Sequence, residues 1–160
     1  MPALILQPTV LSEVGLRGNN EDAAFASPRL VAVADGVGGA VAGELASNLA
    51  ILKMVSLDKR RLVNALEAEF ADAVADANDL ISFATFAEPR HAGMATTLTA
   101  VAMANDGRYL VANVGDSRTY LFRNRRLSQL TRDDSLVYRW FKEFAVKVGV
   151  GHAYSYCCCY

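Results

Sequence analysis

The stretch Val31–Gly39, VAVADGVGG, decides how the rest of the chain is read. Four small apolar residues run into a lone aspartate, Asp35, and glycine holds three of the next four positions. With Leu30 in front, Leu30–Ala34 is a short apolar run ended by Asp-Gly, the pattern of a strand buried on both faces. An aspartate at a strand end is often only a turn residue, because its side chain can hydrogen-bond the backbone two residues on. The other reading is that the strand aims the carboxylate at a metal ion. On these nine residues alone the turn is favoured.

Outward from this stretch the pattern is strand, two helices, then more strands. Ala42–Val55 is rich in helix formers, and Leu45, Leu49, Leu52 and Val55 share one face at spacings of four and three. A second helix is predicted over Arg60–Ala84. There Leu62, Leu66, Phe70, Ala73, Ala77 and Leu80 form an apolar stripe, and Glu67, Glu69, Asp72, Asp76 and Asp79 read as a solvated face. Thr97–Met103 and Tyr109–Val114 then flank Asn105-Asp106-Gly107, a good hairpin turn. Arg118–Phe122 reads as a further strand, and the Asn124-Arg125-Arg126 turn leads to Leu127–Leu130. This order argues for an α+β fold with helices packed on antiparallel sheets. There is no internal repeat.

At 160 residues the chain has the size of one domain. It is 52% hydrophobic and 21% charged, with a net charge of −1. Lys+Arg 16 against Asp+Glu 17 gives nucleic-acid binding no electrostatic support. No apolar run approaches the roughly 20 residues of a membrane span, and MPALILQPTV lacks the pattern of a signal peptide. The expected location is the cytoplasm. The three cysteines, Cys157–Cys159, are adjacent and build neither a disulfide framework nor a zinc site; CCCY is also a poor match to a C-a-a-X lipidation signal.

Two more acidic segments resemble the first in form. Arg17-Gly-Asn-Asn-Glu21-Asp22 lies upstream and Val114-Gly-Asp116-Ser117-Arg118 downstream, each with an aspartate in a polar, glycine-containing segment beside an apolar strand. Mg²⁺ and Mn²⁺ take such oxygen ligands, one or two carboxylates and several waters. Two such ions a few Å apart suit phosphate-ester hydrolysis, and an arginine fork binds phosphate oxygens. Asp22, Asp35 and Arg17 supply those parts if the fold brings them together.

Five segments in order carry a resemblance: SEVGLRGNNEDA (Ser12–Ala23), VAVADGVGGAVAGELAS (Val31–Ser47), GMATTL (Gly93–Leu98), VANVGDSRTYLFR (Val111–Arg123) and LSQLTRDDSLV (Leu127–Val137). Together they resemble the bacterial branch of the PPM, or type 2C, metal-dependent protein serine/threonine phosphatases. The resemblance implies two packed antiparallel β-sheets flanked by helices, an α/β/β/α sandwich, with a binuclear Mn²⁺ or Mg²⁺ centre in the cleft at one end. It implies that Arg17 binds the substrate phosphate and that Glu21 and Asp22 belong to the first metal cluster. Asp35 would bridge the two metals, Gly36 would offer its backbone carbonyl, and Asp116 would join a third, weaker metal site. A metal-activated water would attack phosphorus directly. The implied partners are phosphorylated proteins, among them kinases and their substrates.

The pattern departs from the family in places. Val37 stands where many eukaryotic relatives have a histidine, a candidate general acid, and Thr131-Arg132-Asp133-Asp134-Ser135 replaces a common TRDHS. The family's later SDGL-type and Asp-Asn motifs, each supplying a metal-ligand aspartate, do not occur. The segment 138–160 also differs in composition from everything before it, holding half of the chain's aromatic residues, its only Trp and all three Cys. It reads as an aromatic-rich cap or as a frameshifted or read-through end, with the second preferred. The expected organisation is therefore 1–137, the N-terminal portion of a phosphatase domain incomplete at its C-terminus, and 138–160, an atypical tail. Such a chain is expected to bind Mn²⁺ weakly, to hydrolyse p-nitrophenyl phosphate poorly, and to leave sheet edges bare.

The competing class is a catalytically inactive phosphatase-like binding or regulatory module. A third reading, that Gly36–Gly39 cradles a nucleotide phosphate, lacks the GxxxxGK[ST] pattern and any lysine in the loop. His91, beside Pro89, is read as a surface residue, and Thr96 and Thr97 as residues that serve the sheet.

Overall fold

In the computed structural model, residues 5–59, 66–104, 107–133, 144–146 and 152–156 are described. Their order is β1 (Asp22–Ala26), β2 (Leu30–Val37), α1 (Ala40–Lys59), α2 (Leu66–Ala87), a 3₁₀ turn (Pro89–His91), β3 (Ala95–Thr96), β4 (Leu98–Met103), β5 (Tyr109–Val114), β6 (Arg118–Arg123), β7 (Arg126–Gln129), β8 (Phe144–Val146) and β9 (His152–Tyr156). The strands form two antiparallel sheets. The larger has the order β1-β2-β4-β5-β8, with β3 also paired to β2; the smaller has the order β7-β6-β9.

Burial alternates along β2: Leu30, Ala32, Ala34 and Gly36 are buried, while Val31, Val33 and Asp35 on the other face are partly exposed. The buried set joins Leu98, Ala100, Ala102 and Leu110 to make the floor of the main core. Ala50, Ile51, Met54 and Leu57 of α1 and Leu66 and Phe70 of α2 close it from above. Small residues dominate this contact on both sides. Alanines of β2 and β4 share this core with Ala50, so α1 lies close to the sheet, and close packing keeps both partners in fixed register.

That arrangement corrects the stripe read from the sequence for α1. The residues of α1 in the core shared with the sheet are Ala50, Ile51, Met54 and Leu57, with Val55 of the expected stripe packed against them, whereas Leu52 is 55% exposed. Leu45 and Leu49 pack, as do Ile81 and Ala84 of α2, against a second cluster of Ala42, Ala46 and Met94. A helix caught between a sheet and a second helix is apolar on two faces, so a single-stripe reading selects the larger side chains and misses the small ones that touch the sheet. In α2, Phe70 and Ala77 are buried and Asp72, Asp76 and Asp79 are exposed, as the pattern requires. Lys53 meets Asp76 at 3.0 Å and Arg108 meets Glu67 at 3.8 Å.

Residues Arg60 and Leu62 of the expected second helix, the Asn105-Asp106 part of the hairpin turn, Asp134-Ser135 and Cys157–Cys159 lie outside the described residues. The polar segment Arg17–Asp22 runs into β1, which begins at Asp22 and pairs with β2. Strands β8 and β9, both from the atypical segment, pair with β5 and β6. Among the described residues no helix is long and apolar enough to cross a membrane.

Candidate metal centre

Separate segments of the chain reach one row at the end of the larger sheet. The register of β1 on β2 sets Asp22 opposite Asp35. On the other side, the register that pairs Val33 with Thr99 and Gly36 with Thr96 leaves Thr97 opposite Asp35. Continuing the pairing of Leu98 with Val114 leaves Gly115 opposite Thr97, and Asp116 is the next residue along. The row Asp22, Asp35, Thr97, Gly115 thus draws together four of the segments singled out in the sequence.

Asp35 is not a turn residue. Strand β2 continues to Val37, and the chain turns only at Gly38 and Gly39, whose φ values of 126° and 88° suit glycine. The backbone of Asp35 is tied on the β4 side. Its N–H donates to Thr97 Oγ1 at 3.0 Å, and its carbonyl accepts from Thr97 N–H at 2.9 Å and from Thr96 Oγ1 at 3.0 Å. On the β1 side, Asp22 N–H donates to Asn20 Oδ1 at 3.0 Å, and buried Ser47 of α1 donates to the Glu21 carbonyl at 2.6 Å. Main-chain groups on both neighbours are therefore engaged in holding the two carboxylates in place.

Helix α1 meets this row through Gly36 and Gly43. A Cβ built on Gly36 would fall on the Gly43 carbonyl, and one built on Gly43 would fall on the Glu21 carboxylate. Glu21 therefore turns its side chain to the helix, on the other side of the strand from Asp22.

The Asp35 carboxyl is raised to about 6, first by burial and then by the charge of Asp22 and the side-chain hydrogen bond with it; the Arg17 guanidinium opposes this and Asp116 adds to it. Two carboxylates this close resist ionising together. A hard divalent cation would remove that conflict, and ions of the Mg²⁺ or Mn²⁺ type accept one or two carboxylates with waters completing the shell. Asp22 and Asp35 thus fit such an ion. Among the described residues no three His, Cys, Asp or Glu side chains are grouped closely enough to hold one, so the fold brings two carboxylates together and leaves Asp116 and Arg17 within electrostatic reach.

Thr96, Thr97 and Ser47 are the residues whose part the sequence did not disclose. The threonines do serve the sheet, but by fastening Asp35 itself. A serine on the alanine face of a helix was the available signal for Ser47. His91 makes a structural contact: Nδ1 lies 3.1 Å from the Ala84 carbonyl near the end of α2.

Residues 8–136 match the family model described as protein phosphatase 2C. The chain is 44% identical over 135 residues, 84% of its length, to the serine/threonine protein phosphatase PstP of Mycobacterium tuberculosis, and covers 26% of that protein. It is 41% identical over 113 residues, 68% of its length, to the serine/threonine phosphatase stp of Listeria welshimeri, and covers 44% of it. Among solved structures it resembles the catalytic domain of PstP in complex with two manganese ions, with a TM-score of 0.72 and 43% identity over 76% of this chain and 53% of that one. The chain therefore spans less than half of these two curated relatives. With the family match covering most of its length and the site row formed from the family's segments, the chain belongs to the protein phosphatase 2C family.

Proposed function

We propose that this chain acts in the metal-dependent dephosphorylation of phosphoserine and phosphothreonine proteins. The observation that carries the reading is the Asp22–Asp35 pair: two carboxylates opposed at a strand end, one of them raised to about 6. The names of the relatives support the substrate class, and the two manganese ions of the PstP structure support the cofactor. Because those relatives are phosphatases, an inactive module is not the reading adopted.

In this reading Asp22, Asp35 and the Gly36 carbonyl would hold Mn²⁺ or Mg²⁺, with Asp35 as the central ligand of the site. Glu21 adjoins the cluster through its main chain, its carboxylate being turned to α1, and Asp116 serves a third, weaker position. When bound, such ions lower the pKa of water and neutralise phosphate charge. Arg17, which already acts on Asp35 through its charge, binds and orients the substrate phosphate with its fork. Val37 has no proton to give, so it serves the phosphate only as a half-exposed wall. The substrates are phosphoproteins, including kinases and their targets, in the cytoplasm. Residues 1–137 carry the N-terminal portion of the phosphatase domain, and 138–160 are an atypical tail that lends β8 and β9 to the sheets.

The test is Mn²⁺ titration by calorimetry together with hydrolysis of a phosphothreonine peptide. Weak but saturable Mn²⁺ binding and slow Mn²⁺-dependent turnover, both lost in Asp35→Asn, are expected. Binding or turnover unaffected by that substitution would overturn the assignment.

A further inference from the structure

The two sheets are joined behind the Asp35 row by buried hydroxyls. Thr97 and Thr99 project from the same face of β4, and Ser117 and Thr119 meet them from the start of β6. Thr97 Oγ1 and Ser117 Oγ are 2.6 Å apart, and Thr99 Oγ1 and Thr119 Oγ1 are 2.8 Å apart. Thr119 N–H in turn donates to Thr131 Oγ1 at 3.0 Å. Ser117, Thr99 and Thr119 are at most 1% exposed. A wholly apolar seam would slide more easily than this one, because displaced hydroxyls in a dry interface lose partners that water cannot replace.

The outermost pair of the seam is bonded to the site row. Thr97 Oγ1 also accepts from Asp35 N–H at 3.0 Å, while Ser117 directly follows Asp116. One hydroxyl contact therefore couples the backbone of Asp35, on the larger sheet, to the loop that carries Asp116 into the smaller sheet. Gly115 leaves room for it: a Cβ there would stand 2.7 Å from Thr97 Cγ2.

We propose that the Thr97–Ser117 hydroxyl pair is a positioning device that sets Asp35 relative to Asp116 and thereby tunes the affinity of the site for a divalent cation. The inner Thr99–Thr119 pair holds the sheets together without acting on the site. This inference rests on the reading of Asp35 as a metal ligand. Groups that orient ligands from behind typically change metal affinity about 10- to 100-fold when removed.

The full chain is titrated with Mn²⁺ by calorimetry, and each variant is melted without metal. Thr97→Val, which keeps the shape and loses the hydroxyl, is expected to bind Mn²⁺ about 10-fold or more weakly. Ser117→Ala is expected to shift affinity in the same direction, and Thr97→Ser to restore it. Thr99→Val is expected to lower the melting temperature while leaving Mn²⁺ affinity unchanged. If Asp35→Asn abolishes binding but Thr97→Val and Ser117→Ala bind as the parent does, the positioning role is overturned and the metal reading stands. Equal weakening by Thr97→Val and Thr97→Ser, or weakening by Thr99→Val as large as that by Thr97→Val, also overturns it, since packing alone would then account for the loss. If Asp35→Asn binds Mn²⁺ like the parent, or the parent shows no binding, the metal reading itself falls. Should Thr97→Val fail to fold, Ser117→Ala against the parent decides the question.

Discussion

Asp22 and Asp35 face each other across the β1–β2 ladder, and their carboxyl groups share a hydrogen bond at the end of the sheet. The pair makes the metal-free fold sensitive to pH. Asp35 has a folded value of about 6 against an ordinary 3.8, so protonation stabilises the fold. That stabilisation is complete below 3.8 and is lost as pH rises through about 6. Asp35→Asn cannot ionise and should therefore exceed the parent in stability at pH 7.5 by about 1 kcal/mol, a figure already discounted for solvent screening of a half-exposed group. The gap should close at pH 4. Urea denaturation in the presence of a chelator measures both, and a parent equal to the variant at pH 7.5 would contradict the assignment.

The contact between Gly36 and Gly43 predicts two glycine substitutions of unequal cost. Alanine at 36 must displace backbone, the Gly43 carbonyl on one side and Glu21 O at 2.8 Å on the other. Alanine at 43 meets mainly the end of the Glu21 side chain, which can swing away, and alanine favours the helix. Gly36→Ala should destabilise by about 3 kcal/mol, at the upper end of overpacking costs, and Gly43→Ala by about 1 kcal/mol or less. Chemical denaturation of the two variants compares them directly; equal costs would show that α1 shifts freely over β2.

Much of this arrangement was legible in the sequence, though unevenly. The β2 strand, both helices and the β4–β5 and β6–β7 hairpins follow from periodicity, because each has a clear apolar pattern ended by Gly, Asn or Asp. Membership of the family and the candidacy of Asp22, Asp35 and Asp116 follow from the ordered segments. Strand β1 was hidden because Asp22–Ala26, DAAFA, is short, alanine-rich and begins on a charge, so its pairing with β2 outweighs its weak propensity. The sheet-facing side of α1 was hidden because alanines carry little hydrophobic signal. The roles of Thr96, Thr97 and Ser47 are relations between distant segments, which no local pattern encodes.

Phe70 fixes how α2 covers the sheet. It is 2% exposed and lies in the core cluster with Leu30, Met54, Leu57 and Leu66. Phe70→Ala should cost about 3–5 kcal/mol by lost burial and the cavity left behind. By contrast, removing the Lys53–Asp76 pair, whose acid is 58% exposed, should cost about 1 kcal/mol at most. Denaturation midpoints of Phe70→Ala and Lys53→Ala test the contrast, and similar losses would mean that α2 is held by its charged face.

The β6–β7 hairpin turns through Asn124 and Arg125, both with positive φ of 52° and 60°. Two-residue turns of this kind favour asparagine followed by glycine. Arg125 is exposed and occupies the second position, where the left-handed conformation costs a residue with a Cβ about 1 kcal/mol. Arg125→Gly should therefore raise stability by about 0.5–1 kcal/mol, glycine's looser unfolded chain offsetting part of the gain. A lower melting temperature for this variant would show that the Arg125 side chain contributes more than its backbone strain removes.

Arg118 and Asp133 tie the segment after β7 back to the first residue of β6. Arg118 donates from Nε to Asp133 Oδ1 at 2.8 Å and from an Nη to Oδ2 at 2.6 Å, a two-point match of fork to carboxylate. Lysine offers a single rotatable ammonium and cannot reproduce it. The two bonds hold the Asp133 carboxyl below the usual carboxylate range. For an acid shifted down, the contribution to stability is present above the ordinary 3.8 and is lost as pH falls through the lowered value. Arg118→Lys should therefore melt below the parent at pH 7, and carbon NMR of the labelled carboxyl should show Asp133 returning upward toward its ordinary range. Because the same segment supplies Thr131 to the buried Thr119 N–H, loosening it should also expose that amide, which hydrogen exchange reads separately. A variant with unchanged melting and an unmoved Asp133 would mean that the segment is held by Thr131 and the sheet, with the ion pair only resting on top.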